Sequence, residues 1–215
     1  MRPGSLPVVT GVVLAAGAGR RLGRPKADVE FGGRRLVDRA AATLRAGGCA
    51  EVLAVLRSEQ APAAGARTVV NPDPDRGMGS SLRCALAELA ADPRSEACVV
   101  LLVDLVDVRP AEVAAVIERH RAGAAIVAVR RAGQRSHPVL VSRRWYSEFA
   151  AAAVGDQGGR DFFTRRLGDT SFLDYPDPIG DIDTADDLSR AEAAEAAQTA
   201  QLGQPEQPGQ AGSAG

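Results

Sequence analysis

The sequence predicts a three-layer α/β fold around a mostly parallel, doubly wound sheet. Four short apolar runs rich in β-branched residues, 8–14, 52–56, 99–103 and 125–129, lack polar alternation. Strands of that kind are buried on both faces, as in parallel sheets. Helical patterns at 36–46, 80–91 and 110–121 alternate with them, the last opening on Pro110, a residue suited to the first helical position. Strand–helix alternation imposes right-handed crossovers, which place helices on both faces.

Each remaining element follows from local pattern. Residues 139–141 predict a short strand, and residues 143–153 and 160–167 predict helices. Residues 184–197 predict a closing helix, with Thr184 as its N-cap and Asp186 and Asp187 in the first turn, where acidic groups favour the helix dipole. A length of 215 residues suits one domain, assigned to residues 1–197. Residues 198–215 are mainly Gln, Pro, Gly and Ala; too few apolar groups are present to offset ordering entropy, and a disordered tail is expected.

Charge narrows the function. With 26 basic and 27 acidic residues and a formal net charge of −1, the chain lacks the basic excess of a nucleic-acid-binding surface. Cys49, Cys84 and Cys98 are widely spaced and odd in number, so reduced core thiols in a cytoplasmic protein are expected rather than a disulfide or zinc framework. Arg2 and the apolar stretch 6–16 superficially resemble a signal peptide, but Thr10 and Gly11 interrupt the run. No stretch reaches the ~18 apolar residues of a membrane span.

In an open α/β sheet the ligand site lies at the carboxyl ends of the strands. That rule directs attention to residues 15–26, 71–81 and 104–107. The first carries Leu14-Ala-Ala-Gly-Ala-Gly-Arg-Arg-Leu-Gly-Arg-Pro-Lys26. A strand running into a loop with Gly17, Gly19 and Gly23 suits backbone N–H groups wrapped around phosphate. The dinucleotide fingerprint would need glycine in place of Leu22, which argues against a nicotinamide site, and the Walker pattern would need glycine at Ala18 and lysine at Arg24. Arg20, Arg21, Arg24 and Lys26 supply cations enough for a triphosphate.

LAAGxxxRxGxxK at the end of the first strand resembles the signature of the molybdenum cofactor cytidylyltransferases and their nucleotidyltransferase relatives. The resemblance continues in order through Asn71-Pro72, Gly77-Met78-Gly79-Ser80-Ser81-Leu82, the acidic strand end at Asp104, His137-Pro138-Val139-Leu140, Gly155-Asp156-Gln157-Gly158-Gly159-Arg160 and Asp181-Ile182-Asp183-Thr184. It implies a Rossmann-like nucleotidyltransferase fold, Mg²⁺ as cofactor, CTP as nucleotide and a small phosphorylated acceptor of the molybdopterin type, with a molybdoenzyme as downstream partner. It also implies nucleotide contacts from Leu14, Ala15, Ala16, Gly17, Gly19, Arg20 and Lys26, and from Asn71, Gly79, Ser80 and Ser81.

Transfer to an α-phosphate needs charge neutralisation and in-line placement more than covalent help. Arg20 and Lys26 suit the triphosphate and the leaving pyrophosphate. Asp104, ending a strand, suits Mg²⁺, which takes only one or two protein carboxylates. Asp183 is either a second metal-facing carboxylate, as the resemblance implies, or a helix-entry residue. Ser80 and Ser81 could cap a helix or touch the nucleoside; the glycines before them favour close approach to a ligand. The resemblance places His137 beside the acceptor pocket. Arg160 suits the acceptor's phosphate or is simply solvated.

One segment departs from the family pattern: Val103 and Val106 flank Asp104 where a small residue and a proline are usual, and Asp107 follows. That departure keeps open displacement of Asp104 and a noncatalytic cofactor-delivery role. Guanylyl or other nucleotidyl transfer, and an oxidoreductase of the nicotine-pigment type, are the enzymatic alternatives.

Overall fold

A computed structural model describes residues 8–59 and 61–202, the last five as backbone only. Its strands are β1 (Val8–Leu14), β2 (Glu30–Phe31), β3 (Arg34–Arg35), β4 (Glu51–Leu56), β5 (Arg67–Val70), β6 (Ser95–Leu102), β7 (Ile126–Arg131), β8 (Gln134–Ser142) and β9 (Thr170–Tyr175). Its helices are α1 (Leu36–Ala46), α2 (Met78–Ala91), α3 (Pro110–Arg121), α4 (Tyr146–Ala152), α5 (Arg160–Arg165) and α6 (Ala185–Leu202). β2 and β3 form a small antiparallel ribbon; the other seven strands make one sheet in the order β5-β4-β1-β6-β8-β7-β9. Neighbouring strands run parallel except at β8, which is antiparallel to both β6 and β7. The expected fold class is therefore the observed one.

The two faces of the sheet carry separate cores. One packs β1, β4 and β6 residues such as Val13, Ala54 and Leu101 against Leu36, Leu44, Val113 and Ile117 of α1 and α3. The other packs Val12, Leu53 and Val100 against Leu82, Leu86, Phe149 and Phe162 of α2, α4 and α5. Alternate residues of one strand feed opposite layers, which explains why the runs read as continuously apolar. Burying one such Leu or Phe is worth about 2 kcal/mol, so the strand positions that carry the site loops are stiff.

Several boundaries differ from expectation. β8 reaches from Gln134, not 139, because it forms a hairpin with β7 through Ala132 and Gly133, both at positive φ. Such a two-residue turn matches the twist of the strands. The 143–153 and 160–167 patterns each split into an α-helix and a 3₁₀ turn. β5 and β9 at the sheet edges were not anticipated as strands. α6 continues to Leu202, so the expected tail at 198–215 starts inside a helix; residues 203–215 lie outside the described residues, as do residues 1–7 at the start of the signal-like stretch.

The three cysteines are unpaired, and burial pushes the Cys49 and Cys98 thiols up to about 12, which keeps them protonated. Among the described residues no helix is long and apolar enough to cross a membrane.

Candidate active site

Leu14 and Leu102 are partners in the β1–β6 ladder, so the chain leaves both strands at one edge of the sheet. Ala15 still belongs to the ladder, its N–H donating to the Val55 carbonyl at 2.9 Å. Beyond it the Gly-rich loop closes on itself. Leu22 N–H donates to the Gly19 carbonyl at 2.9 Å and Lys26 N–H to the Gly17 carbonyl at 3.2 Å. Gly19 has φ +57°, and a Cβ there would lie 1.9 Å from the Arg24 carbonyl oxygen, so any side chain would open the loop.

This loop, the start of α2 and the end of β6 enclose a cavity of about 400 Å³, within the usual range for small-molecule sites. Leu14, Ala16, Gly17, Gly19, Arg20 and Lys26 line it from the loop side. Ser81 and Asp104 line it from α2 and from beyond β6.

The polar centre is built on Lys26. Its Nζ lies 2.6 Å from Asp104 Oδ2 and also bonds Asp183 Oδ1. The side chains of Lys26 and Asp104 are 17% and 15% exposed, that of Asp183 40%. Burial alone would lower the Lys26 pKa; the Asp104 charge and hydrogen bond, joined by Asp183, outweigh it and hold the ammonium above its ordinary value. Arg21 stands 3.8 Å from Asp183, and Arg20 3.9 Å from Asp75.

Asp183 reaches this point because Ile182 is pinned beneath it. The Ile182 side chain is buried in the α1/α3 core, and its N–H donates to the Asp104 carbonyl at 3.2 Å. Asp181 and Asp183, on either side of Ile182 in the chain, both bring a carboxylate to Asp104. One carboxylate oxygen each from Asp104, Asp181 and Asp183 lies within 4.8 Å of the others. Asp104 Oδ1 is buried and has no partner among the described residues. Three carboxylates, one of them carrying a buried and unsatisfied oxygen, fit a divalent cation such as Mg²⁺ or Mn²⁺.

The helix-entry role is taken by other residues. Thr184 and Asp187 cap α6 reciprocally, Asp187 N–H donating to Thr184 Oγ1 at 3.2 Å and Thr184 N–H to Asp187 Oδ2 at 2.8 Å. The hydroxyl of Thr184, its N–H and then Arg190 hold the Asp187 carboxyl down at about 2. Asp183 is thereby left free to face Lys26. Val103 packs into the core and borders the cavity without displacing Asp104, and exposed Asp107 lies outside it.

Asn71 and Ser80 do not line the cavity and are tied into a buried network. The Asn71 amide donates to Ser80 Oγ at 2.7 Å and Ser81 Oγ at 3.0 Å, and the Ser80 hydroxyl lies 2.8 Å from the Gly77 carbonyl. This buried network fastens the end of β5 to the first turn of α2. Gly79 admits the Ala153 carbonyl, which would lie 2.6 Å from a Cβ there, so its close approach is to α4 rather than to the cavity.

His137 sits where β8 bulges, with Ala128 paired to Val139 but Val129 to Ser136. Its Nδ1–H donates to the Val100 carbonyl at 3.1 Å, an acceptor that fixes the tautomer and leaves Nε2 as a lone-pair site. Burial pushes its pKa down to about 4, with Arg135 adding to the effect, so the ring is neutral at pH 7. Arg160 is exposed at the start of α5. Neither residue lines the cavity itself.

Sequence reasoning quoted Asp181 within a motif but gave it no role, and it passed over the Arg57–Asp75 pair at 2.8 Å on the cavity wall. The D-x-D alternation could have revealed the first. Only position, one residue past β4, marks Arg57.

A glycine loop, a lysine and clustered carboxylates at the carboxyl edge of a doubly wound sheet define a nucleotide-handling α/β protein. The chain belongs to the family of MobA-like NTP transferase domains, which its residues 11–170 match. It is 38% identical over 200 residues to a nicotine blue oxidoreductase from Paenarthrobacter nicotinovorans, covering 86% of this chain and 97% of that one. The crystal structure of Rv0371c from Mycobacterium tuberculosis H37Rv is similar with a TM-score of 0.76 and 29% identity, over 88% of this chain and 100% of that one. A structure of Rv0371c in complex with manganese matches at TM-score 0.71 and 28% identity, over 87% and 99% of the two chains.

Proposed function

We propose that the protein transfers CMP from CTP to a small phosphorylated acceptor of the molybdopterin type, releasing pyrophosphate, in the cytoplasm. The observation that carries this reading is the meeting of the Gly17–Gly19 loop, Lys26 and Asp104 on the wall of a nucleotide-sized cavity, with Asp181 and Asp183 gathered against Asp104.

In the proposed reaction an oxygen of the acceptor's phosphate bonds to the α-phosphorus of CTP. The bond from that phosphorus to the bridging β-oxygen breaks, and pyrophosphate leaves with the electron pair. Arg20 and Lys26 stabilise charge on the α-phosphate and the leaving group. The loop backbone holds the phosphates in line, and no protein nucleophile is needed. Asp104 and Asp183, with Asp181 beside them, would hold a divalent cation, which when bound neutralises phosphate charge. His137, neutral, borders the acceptor side with Nε2 as an acceptor, and Arg160 faces the acceptor's phosphate.

Pyrophosphate release from each of the four NTPs, with and without a molybdopterin acceptor, tests the reading. Acceptor-dependent release from CTP above GTP is expected. Release from GTP alone would move the protein to guanylyl transfer, and none from any NTP would end the transferase reading. The 38% identity to a nicotine blue oxidoreductase favours a second reading, reduction of a pigment-like substrate by a nicotinamide nucleotide. Oxidation of NADH or NADPH on adding such a substrate, without pyrophosphate release, would establish it instead.

A further inference from the structure

Arg57 is the first residue beyond β4 and lines the nucleotide cavity. It leaves the sheet at the same edge as the glycine loop, whose Ala15 N–H bonds the carbonyl of Val55. Its guanidinium grips Asp75, in the turn Pro74–Arg76 that precedes α2: Nη2 donates to Oδ1 at 2.8 Å and Nη1 to Oδ2 at 3.3 Å. The same Oδ1 stands 3.9 Å from Nη2 of Arg20 in the glycine loop. Arg20 and Asp75 line the cavity as well, so one carboxylate answers two cations that approach it from different strand ends. Among the described residues neither arginine has another ion pair.

The three side chains are held unequally. Asp75 is 66% exposed and Arg20 85%, whereas the Arg57 side chain is mostly enclosed and its Nε is buried without a partner among the described residues. An ion pair to so open an acid is worth little, because water screens it. A phosphate chain entering the cavity offers the same two cations more charge and more acceptor oxygens than a single carboxylate can. Asp75 would then face an anion of its own sign, and water is at hand to receive it.

We propose that Arg57 is a phosphate-binding arm of the cavity, working with Arg20, and that Asp75 occupies both arginines until a nucleotide's phosphates displace it. Naming that anion a nucleotide rests on the transferase reading; the two-armed anion site does not. A pair that only ties the turn to β4 would make both partners matter in the same direction. Displacement makes them matter in opposite directions, since the arginine attracts the phosphates and the aspartate competes with them.

Calorimetry on the full chain, without metal and at constant ionic strength, measures this with CTP and separately with inorganic tripolyphosphate. Arg57→Gln should weaken both ligands roughly tenfold or more, the scale of losing charge-assisted hydrogen bonds. Asp75→Asn should tighten both about threefold, the scale of an exposed ion pair that no longer has to be broken. Arg57→Lys keeps the charge without the fork and should fall between the parent and Arg57→Gln, which keeps the test valid if the glutamine variant fails to fold. Unchanged binding in the Arg57 variants, or weaker binding in Asp75→Asn, would reduce the pair to a brace for the turn and overturn the proposal. So would a parent protein that binds neither ligand, or an Arg57→Gln loss seen with CTP but not with tripolyphosphate. Opposite shifts in a protein that releases no pyrophosphate from any NTP would keep the arm and discard the transferase.

Discussion

Replacing Lys26 by Met should strengthen divalent-ion binding in the absence of nucleotide while abolishing most turnover. The ammonium lies between Asp104 and Asp183, two of the three carboxylates able to hold a metal. A divalent ion entering the free protein must first part Lys26 from them. A pair of unit charges near 4 Å is worth about 4 kcal/mol at an effective dielectric of 20. Asp104 is mostly enclosed, but Asp183 is 40% exposed and its share is heavily screened by water. Half of that upper figure, about 2 kcal/mol, corresponds to roughly thirtyfold in affinity. Titration with Mn²⁺, following the free ion by electron paramagnetic resonance, should therefore show Lys26→Met binding about thirtyfold tighter than the parent. Adding CTP to the parent should narrow the gap, since the ammonium then has triphosphate oxygens to move to. Turnover in the variant should fall about a hundredfold, the scale of losing a strong charge-stabilising donor. Equal or weaker Mn²⁺ binding by the variant would refute the idea that lysine and metal compete for these carboxylates.

Asp104→Asn should cut metal-dependent turnover at least a hundredfold, whereas Asp107→Asn, altering an exposed residue outside the cavity, should change it less than threefold; a Mg²⁺ titration of both would expose the opposite ranking. His137 is a base whose folded pKa, about 4, lies below its unfolded 6.5, so its contribution to stability is complete above pH 6.5 and is lost as pH falls towards 4. That gap corresponds to about 3 kcal/mol, and urea melts at pH 7 and pH 4 should show the parent losing about that much more than His137→Gln. Gly79→Ala would force a methyl against the Ala153 carbonyl and should cost about 1–3 kcal/mol in the same melts, with α2 and α4 pushed apart; an unchanged midpoint would show that the helices yield freely.

What the sequence made legible was whatever buries a continuous apolar stretch. β1, β4 and β6 lie inside the sheet, have neighbours on both edges and faces, and so announce themselves by β-branched runs. β5 and β9 are the edge strands; their residues are largely half-exposed, as in Arg67–Val70, and polar groups break the run. The β7–β8 hairpin escaped because Ala132-Gly133 lacks the Asn-Gly or Asp-Gly signature of its turn. At the site, the loop cations and Asp104 follow from the strand-end rule alone. The tertiary assignments of Asn71 and Ser80 do not, because a hydroxyl bonded to a buried amide and one facing a nucleoside occur in the same kind of sequence. Asp183 was ambiguous until the Thr184–Asp187 cap appeared, since two acids near a helix start can each take either role.

The Ile182 N–H to Asp104 carbonyl bond has a consequence for the order in which the protein is made. Translation delivers the glycine loop first and Asp104 midway, but Asp181 and Asp183 only after β9 has been added to the sheet edge. A nascent chain halted at β8 would own a phosphate cradle and a lysine with a single carboxylate to answer it. The three-carboxylate cluster is thus complete only once the segment after β9 has been made, and a chain halted before it would hold Asp104 without Asp181 and Asp183.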